Sequence, residues 1–257
     1  MSGISGVGAQ SSTSPYYSAL SSGTKLQSAA DGAAELSIAE KQKEQVNGYN
    51  AGSENIQSGK NALNIADSAL SGVNDYLQRI RELAVKASNG LMSYSDKQSI
   101  QDEIDQMKEG ISNLTSTTNY NGYNLIDGSN SSIGIVADGN GSTYSLSGNN
   151  STLAALGIED FDVTGSFDLT KIDKAISQVS QGRSQTGAET NSLDYALSYN
   201  SKAAINLTSS VSDLEDTEYA EYVQKLQKER TLETARIMMQ RRQMEDKQNQ
   251  MTRMFTF

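Results

Sequence analysis

From Ile56 onward the apolar residues Leu63, Ala66, Leu70, Val73, Leu77, Ile80, Ala84 and Ala87 keep heptad register. After a first step of seven residues the spacing alternates between 3 and 4, which returns one helical face to the same side every two turns. The chain has one proline, Pro15, so nothing downstream forces a break. The pattern predicts a helix over residues 54–88, about 50 Å long, stopped by the Ser88-Asn89-Gly90 triplet. Gly52, Gly59 and Gly72 lie in or beside this stretch. By intrinsic propensity each costs about 1 kcal/mol relative to alanine.

A second stripe, Ile100, Ile104, Met107, Ile111 and Leu114, is spaced 4, 3, 4, 3. Ser95 and Gln98 are the expected capping box of its helix. The short link after Gly90 makes the two helices antiparallel neighbours. A third stripe runs Ile172, Ile176, Val179, Leu193, Leu197, Ala204, Leu207, Val211 and Leu214, with Arg183, Thr186 and Thr190 at seam positions. Polar seam residues lower stability but fix register and partner choice.

Between these stripes the composition changes. The segment 117–128, TTNYNGYNLIDG, has the Asn, Gly and Tyr content of turns and short strands. Two alternating runs flank Asp138-Gly139, a hairpin signal. The segment 153–165, LAALGIEDFDVTG, reads as a helical turn followed by a strand. The expected fold is therefore mainly α: an elongated antiparallel helical rod, made of a long helix hairpin and a C-terminal long helix, with a small β-hairpin-rich cap. The expected divisions are 1–19, an atypical flexible segment; 20–116, helical; 117–170, the cap; 171–223, helical; and 224–257, a basic, methionine-rich helix.

Composition removes several classes of function. Neither cysteine nor histidine occurs among the 257 residues, so disulfides, thiolate metal sites, the commonest general base and the commonest zinc ligand are absent. An enzyme is not expected, nor is a cofactor. Residues 1–223 carry net charge −14 and residues 224–257 carry +4. The acidic body argues against nucleic-acid binding. No charge precedes Lys25 and no long apolar run occurs there. Neither a cleavable secretory signal nor a membrane span is expected, and an exported chain would use a route that does not read a hydrophobic signal. The carboxylates of 158–162 and 213–218 lack the EF-hand spacing and read as turn and helix-end chemistry, not as a metal site. The 138–141 DGNG reads as a hairpin turn and not as a phosphate loop.

Several long, ordered motifs resemble bacterial flagellin. LSSGTKLQSAADGAAELSIAE (20–40) is similar to that family's opening motif, with Ala30, Asp31 and Gly32 where the family carries a charged pair. ALNIADSALSGVNDYLQRIRELAVKASNG is similar to its long helix, and SIQDEIDQMKEGISNLTSTTNYNGYNLIDG to the antiparallel return and first hairpin. IDKAISQVSQGRSQTGAETNSL and LEDTEYAEYV are similar to its downstream half. No variable outer domain separates the halves. The N-terminal segment, with Gly3, Gly6, Gly8 and Pro15, and the basic end departs from the family pattern.

The resemblance implies a secreted structural subunit of the bacterial flagellar filament, self-assembling through its helical rod and supporting motility. The alternative is a poorly polymerising paralogue, acting as a minor filament component or as a secreted ligand of the vertebrate Toll-like receptor for flagellin. By motif, the family's receptor-contacting or subunit-packing residues fall on Arg79, Leu83 and Glu103. Leu83 lies off the seam of Ile80 and Ala84, so partial exposure is expected, with Arg79 its i,i+4 neighbour. The bland reading makes Arg79, Arg81 and Glu82 solvated flanks, with Glu82 paired to Lys86. In the tail, Met238, Met239, Arg241, Arg242 and Phe255 are the expected contacts with a partner, such as a flagellar secretion chaperone. Membrane binding is the weaker reading, because the apolar positions form no single clean stripe.

Overall fold

The computed structural model describes residues 15–254. Its helices are α1 (Pro15–Ser22), α2 (Ala29–Ala87), α3 (Tyr94–Thr117), α4 (Thr170–Glu215) and α5 (Tyr219–Met254). Its strands are β1 (Asn119–Tyr120), β2 (Tyr123–Asn124), β3 (Ser132–Val136) and β4 (Thr143–Ser147). The fold is mainly α, as the heptads require. The chain divides into two compact units: residues up to Lys43 with those from Leu207 onward, and Glu44–Asn206.

In the Glu44–Asn206 unit, α2 packs between α3 and α4. Its seam residues Ile56, Leu70, Val73, Leu77, Ile80, Ala84 and Ala87 are buried, facing Ile104 and Ile111 of α3 and Ile172 and Val179 of α4. Both neighbours run antiparallel to α2. Arg79 meets Glu103 near the start of α3, and Gly72 lies by Leu114 near its end. Lys60, Asp67 and Arg81 meet Asp194, Arg183 and Asp173 in reverse order along α4. The polar seam of α4 is satisfied: Arg183 donates to Asp67 at 2.9 Å, and the Thr186 hydroxyl receives Asn149 Nδ2 at 3.2 Å.

Helix α3 begins two residues earlier than Ser95 and Gln98 suggest. Ser93 is the N-cap; its Oγ accepts from Asp96 N at 3.2 Å, and Asp96 Oδ2 accepts from Ser93 N at 3.1 Å. The shorter aspartate closes the box that Gln98 was expected to close. The Ser93 hydroxyl and backbone amide hold the Asp96 carboxyl below its ordinary value. The reciprocal bonds therefore stabilise the helix above the unfolded carboxylate range and are lost as pH falls through the lowered value. Ser93→Ala is expected to cost about 1 kcal/mol in denaturant unfolding, and the difference between the two proteins shrinks below that range.

The Asn121-Gly122 turn joins β1 and β2 with positive φ at both residues (49° and 81°), the geometry of a two-residue hairpin. The β3–β4 hairpin pairs Ser132 with Ser147 through Val136 with Thr143. Asp138 caps its turn, accepting from Asn140 N (2.9 Å) and Ser142 N (3.0 Å). This second hairpin lies on the flank of α2 and α4, where Ile135 and Leu146 join Ile56, Leu63 and Leu193 in a small core. Gly52 and Gly59 of α2 face it: a Cβ at Gly52 would overlap the Ala137 carbonyl, and one at Gly59 would overlap Ile135. The glycines that weaken the helix are what let the hairpin approach it. The strand expected within 153–165 does not form. Its backbone is instead held by Gln101 of α3, whose Oε1 accepts from Val163 N at 2.9 Å while Nε2 donates to Phe161 O at 3.3 Å.

In the other unit, α1 packs on the start of α5, with Tyr16 and Tyr222 edge to face at 5.8 Å. Pro15 opens α1, a position where its missing N–H is harmless. The expected flexible segment 1–19 thus ends in helix, and its residues 1–14 lie outside the described residues. The strand-like segment after α1 clasps the α4–α5 break: Lys25 N donates to Glu215 O (2.7 Å) and Thr217 N to Gly23 O (2.9 Å). The buried Glu215 carboxylate takes Lys43 at 2.7 Å. Helix α5 begins at Tyr219, ahead of the change in charge at residue 224. Within α2 the helix breaks at Gly32, and Asp31 accepts from Ser28 N at 2.8 Å.

Candidate interaction surface

The charged row at the centre of α2 is a set of cross-helix ties. Arg79 Nε and Nη2 donate to Glu103 Oε1 of α3 at 3.0 and 2.6 Å, and Nη1 donates to Glu82 at 3.1 Å. Glu103 first, then Glu82, raises the Arg79 pKa. Arg81 reaches the other way, donating from Nε to Asp173 of α4 at 2.6 Å. Glu82 therefore pairs with Arg79 and not with Lys86. All these groups remain substantially exposed, so solvent screens the pairs and they add little to stability.

Arg79 and Glu103 are brought together as the motif comparison expects, but Leu83 is not an exposed partner. It is 3% exposed and belongs to the main core. The correction has a geometric cause. With α3 on one side of α2 and α4 on the other, the buried stripe is wider than an a/d seam, and Leu83 falls within it. Sequence spacing alone set the seam too narrow.

Met238 and Met239 of α5 are each 60% exposed, and Arg241 and Arg242 are exposed beside them. Phe255 lies outside the described residues. From Thr231 to Arg253 every described α5 side chain is exposed, including Leu232, Ile237, Met244 and Met251. Carboxylates of the two acidic stretches are used locally: Asp162 accepts from Thr164 N at 2.7 Å, and Asp216 accepts from the Ser212 hydroxyl. No helix among the described residues is long and apolar enough to cross a membrane.

Two further features have little signal in the sequence. A groove of about 350 Å³ runs between α2 and the two hairpins, floored by Gly59, Ala62, Leu63 and Ala66 and walled by Ile135 and Leu146. The small residues of that α2 face were its available signal. At the α2–α3 turn, Leu91 is 93% exposed and Tyr94 66%. In sequence the turn carries only the signals of a helix stop and of a short antiparallel link.

A helical body with buried heptad seams, small hairpins and apolar surface left exposed on α5 defines a structural, self-associating class of protein. The family model of the bacterial flagellin N-terminal helical region matches residues 6–131, and that of the C-terminal helical region matches residues 169–252. A flagellin of Halalkalibacterium halodurans is 33% identical over 201 residues, covering 75% of this chain and 74% of that one. A flagellin of Clostridium tyrobutyricum is 39% identical over 153 residues, 56% of this chain but 41% of that longer protein. Among solved structures, Bacillus cereus flagellin is similar with a TM-score of 0.51 and 28% identity, covering 57% of this chain and 88% of that one. The chain belongs to the bacterial flagellin family, and it lacks a large variable domain between the two helical regions.

Proposed function

We infer that this chain is an exported, non-enzymatic structural subunit of a bacterial flagellar filament, assembling through copy-to-copy packing of its helical body and supporting motility. The observation that carries this reading is that flagellin-type helical regions account for nearly all of the chain outside the hairpins and the loop before α4. The exposed apolar side chains of α5 supply surface that assembly would cover. Expression in a motile bacterium stripped of its own flagellin tests it. Restored filaments and swimming are expected; a secreted chain that never forms filaments would contradict the reading.

Two finer partners are part of the proposal. The exposed Met238, Met239, Arg241 and Arg242 suit a secretion chaperone that covers α5 before export, since methionines adapt to a partner groove. The exposed Arg79–Glu103 pair suits recognition by the vertebrate Toll-like receptor for flagellin when the chain is free. Leu83 then supports the surface from beneath. Arg79→Ala is expected to lower receptor signalling at unchanged helix content; equal signalling by the two proteins would remove Arg79 from that role.

A further inference from the structure

We propose that Asn89 is a self-modification site in the folded chain. The Gly90 main-chain nitrogen attacks the Asn89 side-chain amide, releases ammonia and leaves aspartate or isoaspartate in the α2–α3 turn. A bond forms from that nitrogen to Asn89 Cγ as the Cγ–Nδ2 bond breaks, and the Gly90 amide proton leaves with the ammonia. Water then opens the cyclic imide at either carbonyl. One water is consumed for each ammonia released, and no electrons are transferred.

The chain has four Asn-Gly pairs, beginning at Asn47, Asn89, Asn121 and Asn140, and glycine removes the steric bar to attack at all of them. The fold separates them. The Asn47 pair is inside α2, where the Gly48 N–H belongs to the i→i−4 ladder. Asn121 is held at φ 49° in a two-residue turn closed by Tyr120 and Tyr123, and imide formation would have to unpair the strands. Gly141 N donates to Asp138 O at 3.3 Å. Asn89 and Gly90 are exposed, and Gly90 N donates to no group among the described residues. A Cβ at Gly90 would meet nothing within 4 Å, so base and water reach its N–H.

The turn also favours attack. Asn89 N donates to Lys86 O at 3.2 Å and Met92 N to Asn89 O at 3.1 Å, which fixes the residue on both sides. Leu91 N donates to Asn89 Oδ1 at 3.1 Å. That bond curls the side chain over its own main chain and brings Cγ toward Gly90 N. It also aims a donor at the oxygen that gains negative charge during attack. At Asn150 the curl occurs without the free nucleophile. Its Oδ1 accepts from Thr152 N at 3.2 Å, but Ser151 N donates to Ile126 O at 2.9 Å and Ser151 is 3% exposed. Of these five asparagines, Asn89 alone combines a curled amide with a free neighbouring N–H.

Either product puts a carboxylate just past the C-terminal end of α2, where the helix dipole disfavours negative charge. Isoaspartate also lengthens the turn by one main-chain carbon. The turn therefore carries a chemical record of the chain's age.

The full chain, held in mildly alkaline buffer with and without denaturant, tests the proposal when peptide mapping by mass spectrometry follows each asparagine. Folding is expected to slow Asn47, Asn121 and Asn140 several-fold or more, and to leave Asn89 at least as fast as in the denatured chain. An Asn89 slowed by folding as much as the other three would overturn the proposal. Charge separation of native samples gives a second reading. The acidic species that grows with time in wild type is expected to be missing from Asn89→Gln, whose longer side chain closes the larger ring far more slowly. Equal acidic species in both proteins would place the reaction elsewhere and contradict the assignment.

Discussion

Gly52→Ala is expected to destabilise the Glu44–Asn206 unit by about 1–3 kcal/mol, the usual cost of overpacking, although alanine is the better helix former. The added methyl has nowhere to go, because the Ala137 carbonyl of the hairpin already occupies its position. The hairpin must move, and it is anchored there by two side-chain bonds. Asn55 Nδ2 donates to Val136 O at 3.0 Å, and Asn200 Nδ2 donates to Ala137 O at 2.6 Å from a buried position. Displacement strains or breaks these bonds and opens the core around Ile135 and Leu193. Gly187 of α4 is the contrasting case: a Cβ there meets nothing within 4 Å. Gly187→Ala is expected to stabilise by about 0.5–1 kcal/mol, the propensity difference alone. Denaturant unfolding of the two variants beside wild type gives opposite signs if the hairpin's approach explains Gly52. Equal stabilisation of both would show that the hairpin does not press on α2.

Leu83→Ala is expected to cost about 2–4 kcal/mol, in the range for buried leucine truncations, whereas Arg79→Ala leaves stability nearly unchanged because its ion pairs are exposed. Both residues lie on one stretch of α2 and both belong to the surface the family resemblance selects. They nonetheless act by different routes. Leu83 fills the core, so its removal leaves a cavity and loosens the α2–α3 packing that presents Arg79 beside Glu103. A loss of receptor signalling in Leu83→Ala would therefore accompany a lower unfolding midpoint, while Arg79→Ala would lose signal at a nearly unchanged midpoint. Similar midpoints for the two variants would place Leu83 outside the core.

Heptad spacing made the three helices of the Glu44–Asn206 unit legible. Ile56, Leu70, Leu77, Ile104, Ile111, Ile172 and Val179 are periodic in sequence and buried in the fold. The two hairpin turns were equally plain from their Asn, Asp and Gly content: Asn121 and Gly122 take positive φ in the first and Gly141 does in the second, where few other residues can stand. Less was legible wherever a third element decided the outcome. Leu83 is buried because helices flank α2 on both sides, and no pairwise seam records that. The segment 153–165 has alternating character, yet Gln101 supplies the hydrogen bonds that a partner strand would have given. Ser95 and Gln98 fit the capping pattern, but Ser93 and Asp96 satisfy the same donors two residues earlier. The groove, like the role of Gly52, depends on segments more than fifty residues apart and had no local signature beyond small side chains.

Electron microscopy of the purified full chain, concentrated in the presence and absence of short filament seeds made from the same protein, tests the central claim most directly. A filament subunit elongates the seeds into long helical filaments of uniform diameter, and those filaments dissociate when the α5 helix is truncated after Tyr222. A chain that stays monomeric with and without seeds, at every concentration up to the limit of solubility, would contradict the account.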